Sequence, residues 1–130
     1  MARGGIPREA RAFVADHVHS ITQLELLLLL HGEPEQAWTA AEASRALRAP
    51  ERLLGGQLAD FYAAGVLTAT GTDELAYRFD AAGPHARAVD ELAACVRQRK
   101  RAVQDLILRG PSSDVQVFSD AFRLRRDDDD

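Results

Sequence analysis

Apolar residues recur at helical spacing through the first part of the chain, and residues that start and stop helices break the recurrence at intervals. Residues 7–19 predict a helix, with Ala10, Phe13, Val14 and Val18 on one side and Pro7 suited to the first turn. Ser20-Ile-Thr-Gln23 has the form of a capping box, in which a hydroxyl and an amide side chain satisfy open backbone N–H groups. It opens a second helix that runs to His31 and stops at Gly32 and Pro34. Leu24, Leu26, Leu27, Leu28 and Leu30 leave little of that helix polar, Thr22 and Glu25 being the main interruption. A helix this apolar needs cover on more than one side. The wing core described below supplies one side, and the N-terminal helix or a second subunit is expected on the other.

Ala37-Trp38 reads as a short extended bridge. Thr39-Ala-Ala-Glu42 is a stronger capping box and opens a helix through Leu47. Pro50 opens the next helix, which ends at the glycine stop Gly65, and only Arg48 and Ala49 separate the two. Two short helices joined this tightly are a helix-turn-helix signature. The period then changes to two. Val66 and Leu67 begin a strand, Thr70-Gly-Thr-Asp-Glu74 makes a turn, and Leu75, Tyr77 and Phe79 alternate with Ala76 and Arg78, which predicts a β-hairpin.

The order of three helices and a hairpin predicts a mostly α, winged helix-turn-helix domain over residues 20–80. It is preceded by an N-terminal helical arm (1–19) and followed by C-terminal helices for dimerisation (84–125). Within these, residues 84–109 predict one long helix of ~39 Å at 1.5 Å per residue. Val89, Leu92, Val96, Val103 and Leu106 fall on an approximate heptad seam that Arg99 interrupts. Gly110-Pro111 is expected to end it, Ser112 or Ser113 to cap a last short helix carrying Val115, Phe118 and Phe122, and residues 126–130 to form an acidic, disordered tail.

Composition changes the picture in two places. The chain has 130 residues, 46% hydrophobic and 28% charged, which suits one globular unit with a real core. It carries 16 Lys and Arg against 20 Asp and Glu, and the run Asp127 to Asp130 holds the whole excess, so the remainder is neutral. A nucleic-acid binder ordinarily shows a basic excess, so any basic surface here must be local. One cysteine, Cys95, excludes an internal disulfide and fits a reducing compartment. The opening Met1-Ala-Arg-Gly-Gly-Ile-Pro lacks the pattern of a signal peptide, and the run Leu26 to Leu30 is far short of the ~20 apolar residues that span a bilayer. A cytoplasmic location is the expectation.

No motif for catalysis stands out: there is no phosphate-binding glycine loop, no nucleophile elbow and no paired carboxylates at helical spacing. His17 and His19 are two apart on a helix and point to different sides, so they do not make a metal pair. His31 ends a helix, where an imidazolium is favourable, and His85 opens one. Cys95 lies near the apolar seam and reads as a buried structural thiol, and Glu25 as a rim carboxylate. A non-enzyme without metal or cofactor is expected.

Thr39-Ala-Ala-Glu-Ala-Ser-Arg-Ala-Leu47, then Leu54, Leu58 and Phe61 at helical spacing, then Ala64-Gly-Val-Leu67 resemble the winged-helix domains of bacterial transcription regulators of the MarR and PadR types. Ser20 to Leu30, Trp38-Thr39 and Phe118-Ser-Asp-Ala-Phe-Arg-Leu-Arg125 look like a bacterial family often labelled as regulators. The resemblance covers about half the chain and implies a homodimer that binds DNA through the second helix of the motif, with the wing on the backbone. The candidate DNA contacts are Arg45, Arg48, Arg52, Gln57 and Arg78. The candidate dimer residues are Phe13, Leu27, Leu30, Val89, Leu92, Val96, Val103 and Leu106.

The residues of the reading helix sit awkwardly with that role. Wound at 100° per residue, Leu54, Leu58 and Phe61 point inwards and Arg52, Gly56, Ala59 and Ala63 form the outer stripe, flanked by Gly55 and Asp60. Only Arg52 on that stripe suits a base or phosphate, Gln57 lies nearer the core boundary, and Gly55-Gly56 costs about 2 kcal/mol of helix propensity. Arg97, Arg99, Lys100 and Arg101 wrap around the long helix rather than form one stripe. The alternative is therefore a winged-helix protein-interaction module without sequence-specific DNA binding.

Overall fold

The computed structural model describes residues 6–109. The order is α1 (Arg8–His17), α2 (Ile21–Gly32), α3 (Ala40–Leu47), α4 (Glu51–Ala63), β1 (Leu67–Thr70), β2 (Ala76–Phe79) and α5 (Ala86–Arg109). This is the winged helix-turn-helix the pattern predicts, with helices on either side of it in the chain. The short helix after Gly110-Pro111 and the acidic tail lie outside the described residues.

Local signals act where the sequence places them. Thr39 Oγ1 accepts from Glu42 N at 3.1 Å and Glu42 Oε1 accepts from Thr39 N at 3.0 Å, a complete capping box. The Ser20 box is displaced by one residue: Ser20 Oγ accepts from Gln23 N at 3.1 Å, but Gln23 Oε1 takes the N–H of His19 at 2.6 Å rather than that of Ser20. Gly65, with φ at +88°, closes α4 in a Schellman arrangement: its N–H bonds Tyr62 O at 3.1 Å and that of Val66 bonds Phe61 O at 3.0 Å. Both Phe61 and Val66 are buried, so the stop is also an apolar contact.

In the wing, β1 and β2 pair antiparallel with Leu67 opposite Phe79 and Ala69 opposite Tyr77. Leu67, Tyr77 and Phe79 face the core, while Thr68, Thr70 and Arg78 face out. The Trp38 bridge also forms: Trp38 N donates to Tyr77 O at 2.7 Å and Tyr77 N to Trp38 O at 2.8 Å, an isolated antiparallel bridge beside β2. Leu75 does not join the inward row. Pairing ends at Thr70 opposite Ala76, and Leu75 lies in the turn, 43% exposed.

One apolar core draws on every element. Leu24, Leu26, Leu27 and Leu30 are all at most 3% exposed, because α2 packs against α3, α4, β2 and α5. The second cover predicted for α2 is thus α5, while α1 lies mainly on α5. The long helix is also not straight. Arg99 leaves helical geometry (φ −140°, ψ 52°) and breaks α5 in two. No proline or glycine lies inside α5; the break falls where Arg99 interrupts the apolar seam, and both halves stay on the core, with Val89 and Leu92 before it and Val103 and Ile107 after it buried.

Candidate nucleic-acid interface

The turn between α3 and α4 is built by Ser44, whose Oγ–H donates to Ala49 O at 2.6 Å and whose carbonyl accepts from Arg48 N at 2.8 Å. Arg48 ends α3 in the left-handed conformation (φ 56°, ψ 47°), the one described non-glycine residue with positive φ. Pro50 caps the start of α4, with φ near −59° suited to helix entry. Arg45 in the last turn of α3, Arg48 in the turn and Arg52 in the first turn of α4 are all exposed. The motif therefore places three guanidinium groups on eight consecutive residues around one turn.

Arg78 is held differently. It is exposed on β2, and its Nη1 donates to Glu35 O at 3.4 Å, towards the segment that joins α2 to Trp38. Gln57 leaves the candidate set. It is 8% exposed, and its Oε1 is buried without a hydrogen-bond partner among the described residues, so it belongs to the core face with Leu54, Leu58 and Phe61. Its position on the wheel, beside Leu54 and Phe61, explains why. The outer stripe is as read: Arg52, Gly56, Ala59 and Ala63 are exposed.

Two exposed apolar side chains flank that stripe without a prior signal. Leu53 is 44% exposed and Tyr62 50% exposed, the latter in edge contact with Tyr77 of the wing at 6.1 Å. Exposed carboxylates share the same elements: Glu42 on α3, Glu51 and Asp60 on α4, and Asp73 and Glu74 at the wing turn. The charge is mixed: the cations gather at the turn with Glu51 among them, and the other carboxylates lie elsewhere on α3, α4 and the wing.

Six of the eight candidate dimer residues lie inside the chain's own core. Phe13, Leu27, Leu30, Val89, Leu92 and Val103 are at most 3% exposed, so they have no surface to offer a partner. The packing of α5 on α1 and α2 encloses them. Val96 and Leu106 keep partial exposure, and Leu108 is 71% exposed. Cys95 is 9% exposed, and burial raises its thiol pKa, offset in part by Arg99, in keeping with a structural thiol. His31 has a role that spacing alone does not reveal: Nε2 lies 2.8 Å from Asp90 Oδ1, and its ring meets Phe79 edge-on at 5.1 Å. Among the described residues no group of three or more His, Cys, Asp or Glu is arranged to hold a metal, and no single helix is long and apolar enough to cross a membrane.

No family model matches the chain, and no curated protein matches its sequence. Solved structures do match. MepR, a transcription regulator of the Staphylococcus aureus multidrug efflux pump MepA, aligns with a TM-score of 0.55 at 9% identity over 88% of this chain and 83% of MepR. The S. aureus MepR–DNA complex aligns with a TM-score of 0.55 at 9% identity over 89% of this chain and 90% of that one. The transcriptional regulator Tm0710 from Thermotoga maritima aligns with a TM-score of 0.51 at 18% identity, covering 85% and 77% of the two chains. At these identities the likeness carries the architecture, and the chain has the winged helix-turn-helix fold of these bacterial transcription regulators, the fold that its MarR-type resemblance implies.

Proposed function

We propose that the chain is a winged-helix, DNA-binding transcriptional regulator that acts as a homodimer. The observation that carries this reading is the exposed cluster Arg45, Arg48 and Arg52 on the turn of a helix-turn-helix whose fold is shared with a regulator solved on DNA. These arginines suit phosphate oxygens, which position a protein on the duplex without reading sequence. Base reading falls to the flanks of α4, where Tyr62 is the largest exposed side chain. The dimer contact in this reading uses the exposed edge of α5 at Val96, Leu106 and Leu108.

Fluorescence anisotropy with duplex DNA over a range of salt tests it. Each phosphate neutralised contributes about −0.9 to the slope of log K against log salt, so Arg45, Arg48, Arg52 and Arg78 together give about −3.6 per protomer. Arg52→Ala reduces the slope by about 1. Absence of salt-dependent affinity refutes DNA binding. The exposed carboxylates Asp60, Asp73 and Glu74 and the exposed apolar side chains Leu53 and Tyr62 favour a second reading as a protein-interaction module, which that outcome would leave standing.

A further inference from the structure

A grouping of aromatic and titratable side chains lies away from the arginines, where α1 meets the beginning of α5. Phe13 and His17 have ring centroids 5.0 Å apart, Phe13 and His85 5.5 Å, and His17 and His85 5.1 Å at an interplanar angle of 67°. These rings line a surface cleft of about 350 Å³ together with Glu9, Asp16 and Arg87. His85 also reaches α4: its Nε2 lies 3.0 Å from the carbonyl oxygen of Ala64, the C-cap of that helix. Gly65 and Pro84 lie against each other at the same place, with the Pro84 ring 3.6 Å from where a Gly65 Cβ would stand. One imidazole thus ties the end of α4 to the start of α5, and a second imidazole on α1 rests against it.

We propose that the His17–His85 ring pair is a proton-operated latch, which holds the C-terminal end of α4 against α1 and α5 while His17 is neutral and releases it when His17 is protonated. With Nε2–H donated to Ala64 O, His85 keeps that bond whether or not its other nitrogen takes a proton. His17 is half-buried against the neighbouring imidazole, so a proton on it loses part of its hydration and sits directly beside the His85 ring. Burial first, and His85 second, hold the His17 pKa below 6.5, with Asp16 opposing and His19 adding a little.

The surrounding charges do not cancel this. On α1, Glu9 is engaged by Arg87 of α5 at 3.3 Å, and Arg87 is also 3.7 Å from Glu91. Asp16 on α1 and Asp60 on α4 share a second depression with His17, His19 and Gln23, but both carboxylates are solvent-exposed and therefore screened. The folded state favours neutral His17. Its contribution to stability is present above pH 6.5 and is lost as pH falls through the lowered value.

Imidazole NMR titration of the full chain, thermal melts and amide exchange test the latch independently of any DNA affinity. His17 titrates with a midpoint below 6.5. Between about pH 7 and about pH 5 the wild-type chain loses thermal stability, and amides 64–66 lose protection ahead of the rest of α4. His17→Phe keeps a ring against His85 but takes no proton, so the acid-dependent part of both losses disappears. His85→Gln removes the neighbouring ring and raises the His17 midpoint, a readout that stands if His17→Phe fails to fold. A His17 midpoint at or above 6.5, full acid loss retained in His17→Phe, or an unmoved midpoint in His85→Gln overturns the proposal.

Discussion

Gly56 sits in the interior of α4, on its exposed stripe, and a Cβ built there meets nothing within 4 Å. Gly56→Ala therefore adds helix propensity with no steric charge against it, a gain of about 0.8–1 kcal/mol. At Gly55 a Cβ stands 3.6 Å from Ala40 Cβ on α3, an ordinary contact. Ala at that position brings the same propensity gain and a further dispersion contact of ~0.1–0.2 kcal/mol. The double substitution approaches 2 kcal/mol, the same propensity penalty the glycine pair imposes on the natural helix.

For a chain of this length 1 kcal/mol moves Tm by about 3–6 °C. Thermal unfolding followed by far-ultraviolet circular dichroism should show each single variant up by that amount, and the pair up by nearly twice as much. A Tm that stays or falls in Gly56→Ala refutes the reasoning, since it means that something other than solvent lies against that face. Gly56→Arg then separates the two functional readings. Under the interaction reading the small exposed residues of α4 pack against a partner or second copy, so the bulky side chain breaks that association; association left intact refutes this use of the stripe.

Three further outcomes follow from the same geometry. Thr39→Ala removes an acceptor for the Glu42 amide and costs about 1 kcal/mol in chemical denaturation, largely restored by Thr39→Ser; no measurable loss would show that the box contributes nothing to α3. Gln57→Leu replaces a buried, unpartnered oxygen with apolar volume and raises stability by ~1 kcal/mol while leaving DNA affinity unchanged; a loss of affinity in anisotropy would return Gln57 to the interface. Arg48→Gly relieves a left-handed residue and stabilises the chain by about 1 kcal/mol while weakening DNA binding; unchanged affinity would remove Arg48 from the phosphate contacts.

The order of helices, the turn and the wing are written in short stretches of sequence, and the structure follows them closely. The reason is that caps and stops act within a few residues: Thr39 with Glu42, Gly65 with Phe61 and Tyr62, and Gly71, where φ is +102° and a Cβ would run into the Glu74 carbonyl. The inward row of α4 and the outer stripe of Arg52, Gly56, Ala59 and Ala63 are likewise fixed by helical periodicity alone. So are the arginines of the candidate interface, because Arg45, Arg48 and Arg52 sit around a turn whose position the flanking helices define.

What covers what was decided only by the tertiary structure. An apolar seam states that a helix must be buried and leaves the burying surface open. Phe13, Leu27, Val89 and Val103 thus look alike whether they meet a second subunit or their own chain. Both halves of α5, before and after the break at Arg99, lie on the chain's own core, and Val89, Leu92 and Val103 of the seam are buried there. The same holds for pairs distant in sequence. His31 with Asp90, and His17 with His85 and the end of α4, depend on the packing of whole helices, which no local spacing encodes.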